Sequence, residues 1–345
     1  MSNDNPLYVM RTGFDVEDQI KRIVNEAKQD PALLLCLRAN EIHIYYNGGK
    51  ILGIKKNPKT LTLSFDEKYL NIGNPELSAE YEWLKHINRT SRKRVEHNPK
   101  EFFNDAKKIM DIWFNIHRKQ ERDDQHKIAL NNVDIIHDED LAVVDIEFAV
   151  SANSPCYNRE YKNTFRIYDK RYPNPRFDII AINKHGQIYV FELKTGLNST
   201  KNCETHITDF AAMIGSEKTG DFSETIRYKS FLDEMSEMIA ELNQNRFRNN
   251  LSPLPDVDKS KAPIFGFAYT VEKEPKAPGH TPDYQKMRIQ KIVSDALGKA
   301  IKSSSDRRLD NAVEMMYRDG RILSQVMLIE DDFKLKTAKC RNLKN

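Results

Sequence analysis

The sequence is poor in cysteine. Four thiols, Cys36, Cys156, Cys203 and Cys340, are scattered over 345 residues with no close pair, which excludes a disulfide-built scaffold and a structural zinc site of the paired-cysteine kind. Long apolar runs are missing too: the most apolar stretches, Ala32 to Leu37 and Ala262 to Val271, are too short to span a bilayer. Met1 to Leu7 shows no basic segment followed by an apolar one, so the expectation is a cytoplasmic protein with no membrane partner. Glycine and proline number only 13 and 14, too few for a collagenous or low-complexity chain. Nor does one sign of charge dominate. Basic residues number 54 and acidic ones 51, a net charge of +3, so the placement of the charges says more about partners than their total.

What is present is an ordinary globular composition, 39% hydrophobic, at a length that suggests about two domains. Val16 to Lys28 has helical apolar spacing and stops at Asp30-Pro31. Four short strands follow, at 33–37, 41–46, 50–54 and 60–65, with Asn47-Gly48-Gly49 as a hairpin turn. A polar helical segment at 78–87 leads to Arg89, Arg92, Lys93 and Arg94, read as loop. Phe102, Phe103, Ala106, Ile109, Met110, Trp113, Phe114 and Ile116 form one stripe of a helix that continues to about Leu130. Strands are expected at 142–150, 177–182, 187–193 and 263–271, helices at 205–214, 223–242, 284–301 and 310–318, and a closing strand at 322–329. The fold class is therefore α/β in the α+β sense. The expected organisation is a β-meander domain at 1–75, a helical and basic linker at 76–99, a main domain at 100–275 and a C-terminal extension at 276–345.

The chemistry concentrates in two of these strands. Arg176-Phe177-Asp178-Ile179-Ile180-Ala181-Ile182 is followed by a four-residue turn and then by Ile188-Tyr189-Val190-Phe191-Glu192-Leu193-Lys194. Residues two apart on a strand face the same way, so Glu192 and Lys194 share a face, with Tyr189, Phe191 and Leu193 on the other. Asp178 at the entry of one antiparallel strand lies beside the exit of the next. Two carboxylates and an ammonium among strands this apolar would be costly to bury, and a divalent cation resolves the conflict. Hard oxygen donors suit Mg²⁺ or Mn²⁺. A metal-bound water is more acidic, and Lys194 would orient or deprotonate it and offset developing charge.

At these residues the sequence resembles the PD-(D/E)XK nuclease superfamily, with its acid on one strand and Glu-x-Lys on the next. The resemblance implies a restriction-endonuclease-like αβββαβ core over 100–275 and cleavage of phosphodiester bonds in nucleic acid, usually DNA, with magnesium; the sequence itself leaves DNA and RNA both open. It casts Asp178, Glu192 and Lys194 as catalytic, and Asp178, Glu192 and the Leu193 carbonyl as metal ligands. It also calls for an acid on the first helix, for which Glu121, one turn before Gln125, is the candidate. It is compatible with a homodimer and with a setting in restriction, other defence against foreign DNA, or repair, defence being preferred. Phe177, not proline, precedes Asp178, and no Gln-x-x-x-Tyr pattern follows.

Alternating charges on a solvated strand face are common, and an inactive nuclease-like module that binds nucleic acid or protein is the rival reading. Glu147 is a rival acid, though its alternation with apolar residues suits an exposed strand face. His206 and Asp209 open the next helix and could reach a phosphate or a water, although capping and surface roles are commoner there. Arg89, Arg92, Lys93, Arg94 and Lys201 are candidate phosphate contacts. From Phe333 on the chain carries five basic residues and no acid, which usually marks a solvated end.

Overall fold

The computed structural model describes residues 18–38, 41–56, 61–117, 119–149, 176–197, 200–214, 226–244, 251–273, 279–302 and 307–337. Their contacts divide into two compact units. The first takes in the described residues up to Leu130 and those between 241 and 252; the second takes in the described residues between 131 and 240 and those from Pro253 on. Among the described residues no helix is long and apolar enough to cross a membrane.

The first unit is built on a four-stranded antiparallel sheet, β1 (Leu34–Arg38), β2 (Glu41–Tyr46), β3 (Gly49–Lys56) and β4 (Leu61–Ser64), in sequential order. Asn47 and Gly48 turn β2 into β3 with φ of 47° and 69°, the left-handed pair that a two-residue hairpin demands. Helix α1 (Asp18–Gln29) buries Ile20, Ile23, Val24 and Ala27. After α2 (Pro75–Glu80) comes α3 (Arg92–His97). Three of the four basic residues read as loop, Arg92, Lys93 and Arg94, are therefore helical, because Val95 is fully buried and Arg92 Nε pairs with Glu96 one turn on, at 2.7 Å.

The long helix expected at 100–130 is two helices, α4 (Pro99–Ile116) and α5 (Gln120–Asn131). Asn98 caps α4 by accepting from Glu101 N, and Pro99 suits its first turn. Its apolar stripe is spent on the meander unit: Trp113 stands edge-on to Tyr69 at 5.1 Å, and Asp111 accepts from Tyr46 Oη (3.1 Å) and Asn47 Nδ2 (2.9 Å). α5 lies so close to the hairpin that a Cβ on Gly48 would stand 2.4 Å from the Arg122 carbonyl oxygen. The sequence reading opened the main domain at residue 100, whereas the contacts group α4, and α5 up to Leu130, with the meander.

The second unit holds a five-stranded sheet in sequential order: β5 (Leu141–Ala149), β6 (Arg176–Asn183), β7 (Ile188–Thr195), β8 (Ile264–Thr270) and β9 (Met327–Ile329). β5, β6 and β7 run antiparallel; β8 and β9 lie parallel to β7. Between β7 and β8 come α6 (Cys203–Ile214) and α7 (Ile226–Gln244); between β8 and β9 come α8 (Pro282–Ala300) and α9 (Arg307–Arg318). β7 is buried from Ile188 to Lys194, as a strand covered on both faces should be. The core is aromatic: Phe210 of α6 stacks on Phe265 of β8 at 4.9 Å, edge-on to Phe177 of β6, while Phe148 of β5 meets Phe231 of α7.

The stretch read as a C-terminal extension belongs to this unit. β9 extends the sheet, Leu335 is fully buried, and Asn132 clamps the segment by donating to the Phe333 carbonyl (2.6 Å) and accepting from Leu335 N (2.9 Å). Lys334 donates to the Asn131 carbonyl and Lys336 pairs with Glu139, so the start of the basic tail is tied into the fold. Lys339, Arg341 and Lys344 lie outside the described residues.

Candidate active site

The site grows from the β6–β7 hairpin. Asn183 Oδ1 accepts from the backbone N–H of His185 (2.9 Å) and of Gln187 (3.0 Å), and Gly186 supplies φ of 74°. A Cβ on Gly186 would stand 2.2 Å from the Asp256 carbonyl oxygen, so glycine is required twice over. The turn sets a register running from Ile182 opposite Ile188 to Ile179 opposite Phe191. One step further, that register puts Asp178 opposite Glu192, on the same face. There Asp178 Oδ2 accepts the Leu193 N–H at 2.8 Å.

Lys194 shares the face. Its Nζ lies 2.8 Å from Glu192 Oε1, and His206 Nε2, in the first turns of α6, lies 3.0 Å from the same oxygen. Glu192 and Lys194 are each only 5% exposed. A third acid stands one strand over. Ile146 pairs with Ile179 and Phe148 with Phe177, which brackets Glu147 beside Asp178. Glu147 has φ of 52°, next to a register shift between Val143 and Asp145, and lies 4.0 Å from Arg176. A non-glycine residue in that conformation costs on the order of 1 kcal/mol.

Burial holds the Asp178 carboxyl well above the usual carboxylate range. The Glu192 charge adds to this, Lys194 opposes it, and Glu147 adds a smaller push. Burial, with the Lys194 charge behind it, pushes His206 down to about 3. His206 is thus neutral at pH 7, with its Nε2 turned toward the Glu192 carboxylate. Burial pushes the Cys203 thiol up to about 11, which makes it a packing group and not a nucleophile.

The structure therefore brings together Asp178, Glu192, Leu193 and Lys194. Lys201 is exposed in the turn before α6. Glu121 lies half-buried on α5, grouped with the meander unit, and Gln125 there is 2% exposed. Arg89, Arg92, Lys93 and Arg94 belong to that unit as well. Arg92 is engaged by Glu96 and by the Leu61 carbonyl (2.6 Å), and Arg94 lies 3.9 Å over the Trp83 ring and pairs with Glu101. Both arginines hold the unit together as built; Arg89 and Lys93 are exposed. Sequence reasoning left His206 open between reaching a phosphate or water and a capping or surface role, and missed its approach to Glu192. The one available signal was its place in the helix that follows the Glu-x-Lys strand.

Among the described residues no group of three or more His, Cys, Asp or Glu side chains is arranged to hold a metal ion. The donors that converge are two carboxylates on neighbouring strands, the number that magnesium typically takes from a protein. No protein-family model, no curated protein and no solved structure matches this chain.

Proposed function

We propose that the five-stranded unit is a metal-dependent nuclease of the PD-(D/E)XK kind, hydrolysing phosphodiester bonds in nucleic acid, with DNA favoured over RNA. One observation carries the reading: Asp178 and Glu192 sit across a strand pair, with Lys194 held 2.8 Å from Glu192 in a nearly buried cluster. The element order supports it, since three antiparallel strands, intervening helices and a strand parallel to the third are what the αβββαβ resemblance implies.

The donor set fits Mg²⁺ or Mn²⁺. Two like charges in a buried setting push Asp178 toward its protonated form, and hard oxygen donors in that state are relieved by a hard cation. Asp178 and Glu192 would hold the ion, with the Leu193 carbonyl. That carbonyl leaves the extended strand on the same edge as the Leu193 N–H, which Asp178 receives. Bound there, the ion would lower the pKa of a water and neutralise charge on the phosphate. Lys194 supplies a positive charge next to the acids; turned from Glu192 toward a scissile phosphate, it would orient the attacking water and offset charge as it develops. Two copies acting as a homodimer would cut both strands, and restriction or defence against foreign DNA is the proposed setting.

A second reading is favoured by one feature: Lys194 already donates a hydrogen bond to Glu192, and His206 Nε2 lies 3.0 Å from the same oxygen. A nuclease-like module that binds nucleic acid without cutting it would look the same. Incubation with plasmid, single-stranded DNA or RNA, with magnesium, manganese or EDTA, separates the two. The nuclease reading expects metal-dependent cleavage lost in Asp178→Asn, Glu192→Gln and Lys194→Met. Cleavage retained in all three variants would refute it, and tight binding without any cleavage would favour the second reading.

A further inference from the structure

Two nitrogens approach Glu192 Oε1: Lys194 Nζ, which donates to it at 2.8 Å, and His206 Nε2, at 3.0 Å. They come from different elements. Lys194 is on the same strand as Glu192, while His206 is delivered by α6, whose place over the sheet is set by buried Ile207, Phe210 and Ala211 and by the stacking of Phe210 on Phe265. Cys203, one turn earlier and 2% exposed, packs in the same turn, and its Sγ donates to the Thr200 carbonyl. The His206 side chain is 26% exposed against 6% for Glu192, so the imidazole sits at the rim of the cluster and the carboxylate beneath it. If Lys194 is to act on substrate it must turn from Glu192, and a buried carboxylate oxygen that loses its donor pays a desolvation cost. A second nitrogen 3.0 Å from the same oxygen is placed to remove that cost by donating in its turn.

We propose that His206 is a positioning residue: its Nε2–H fixes Glu192 for the cation and keeps Oε1 hydrogen-bonded when Lys194 turns to the substrate. The inference rests on the nuclease reading above and names one more residue of that same site. An imidazole–carboxylate contact of this kind, one step back from a metal ligand, typically changes metal affinity by 10- to 100-fold when removed.

The test uses the full chain, with manganese binding followed by electron paramagnetic resonance in the absence of nucleic acid. His206→Ala should weaken manganese binding about tenfold with an unchanged thermal midpoint. His206→Gln, whose amide can still donate to Glu192, should recover most of that loss, and a purely packing role would predict neither result. Manganese affinity unchanged in His206→Ala, while Glu192→Gln abolishes binding, would overturn this inference and leave the nuclease reading standing. Wild-type affinity in both Asp178→Asn and Glu192→Gln would sink the nuclease reading, and the inference with it. Ring-nitrogen NMR of the metal-free wild-type protein gives a check that needs no variant to fold: His206 should be the Nε2–H tautomer, and an Nδ1–H tautomer would overturn the proposal.

Discussion

Replacing Asp178 by asparagine should make the metal-free protein more stable while abolishing cleavage. The side chain keeps its shape, and the asparagine carbonyl can still accept the Leu193 N–H that Asp178 Oδ2 accepts at 2.8 Å. What is lost is a group that ionises at a cost. With Asp178 ionised, it would carry one net negative charge together with Glu192 and Lys194, beside a neutral His206 and the Glu147 charge on the next strand, and holding a proton instead is what the raised pKa of Asp178 reports. Asparagine leaves Glu192 balanced by Lys194. Relieving a buried like-charge conflict of this kind at a functional site is commonly worth about 0.5 to 2 kcal/mol. For a unit of this size that is a rise of roughly 2 to 6 °C in the midpoint. The sign with pH follows from the raised pKa of Asp178. The folded state keeps the proton where the unfolded chain has released it, so the wild-type aspartate costs stability as pH climbs above the ordinary carboxylate value of about 4. The gap between variant and wild type should therefore be open at pH 7 and close as pH falls below that value. Calorimetry at pH 7 and pH 4, with and without manganese, measures it; manganese should raise the wild-type midpoint and leave the variant unmoved. A folded Asp178→Asn protein with an unchanged or lower midpoint at pH 7 would refute the electrostatic account of the site.

Two further predictions concern the fold that carries the site. Gly186→Ala forces a side chain onto φ of 74° with its Cβ 2.2 Å from the Asp256 carbonyl; it should cost on the order of 2 to 3 kcal/mol, read as a lower urea midpoint, and a neutral effect would show that the hairpin tip is not clamped. His126, 3% exposed with Nε2 on the Ala32 carbonyl, is pushed down to about 4 by burial. Stability it contributes is complete above the unfolded value of about 6.5 and is lost as pH falls toward 4, up to roughly 3 kcal/mol. His126→Gln should flatten that acid limb in pH-dependent urea unfolding, and an unchanged limb would refute the assignment.

The site's framework was legible because it is local. Period-two alternation put Glu192 and Lys194 on one face, and the short turn at 183–187 fixed which end of β6 meets which end of β7, so Asp178 fell beside Glu192 without any knowledge of the rest of the chain. What was illegible depends on elements that meet only in three dimensions. His206 reaches Glu192 because α6 docks through Phe210 onto β8, a contact between residues 55 positions apart that no spacing encodes. Glu147 read as a plain exposed strand residue because a register shift and a left-handed φ leave no mark on the alternation of apolar and polar residues. The partner of α4 was equally hidden: an apolar stripe announces that a helix face is buried, not which sheet buries it.

The clamp from Asn132 has a consequence for how the protein is made. Its side chain bonds the backbone of Phe333 and Leu335, 201 and 203 residues later, and β9 completes the sheet from that same late stretch. Asn132 leaves the ribosome 201 residues before Phe333, so for that stretch of synthesis the helix–strand junction at Asn132 has nothing to hold, and the edge of β8 waits from residue 270 until β9 follows at 327. At elongation rates of about 5 to 20 residues per second, that interval lasts on the order of ten seconds or more. Synthesis in this order leaves the five-stranded sheet unclamped until translation has passed residue 335.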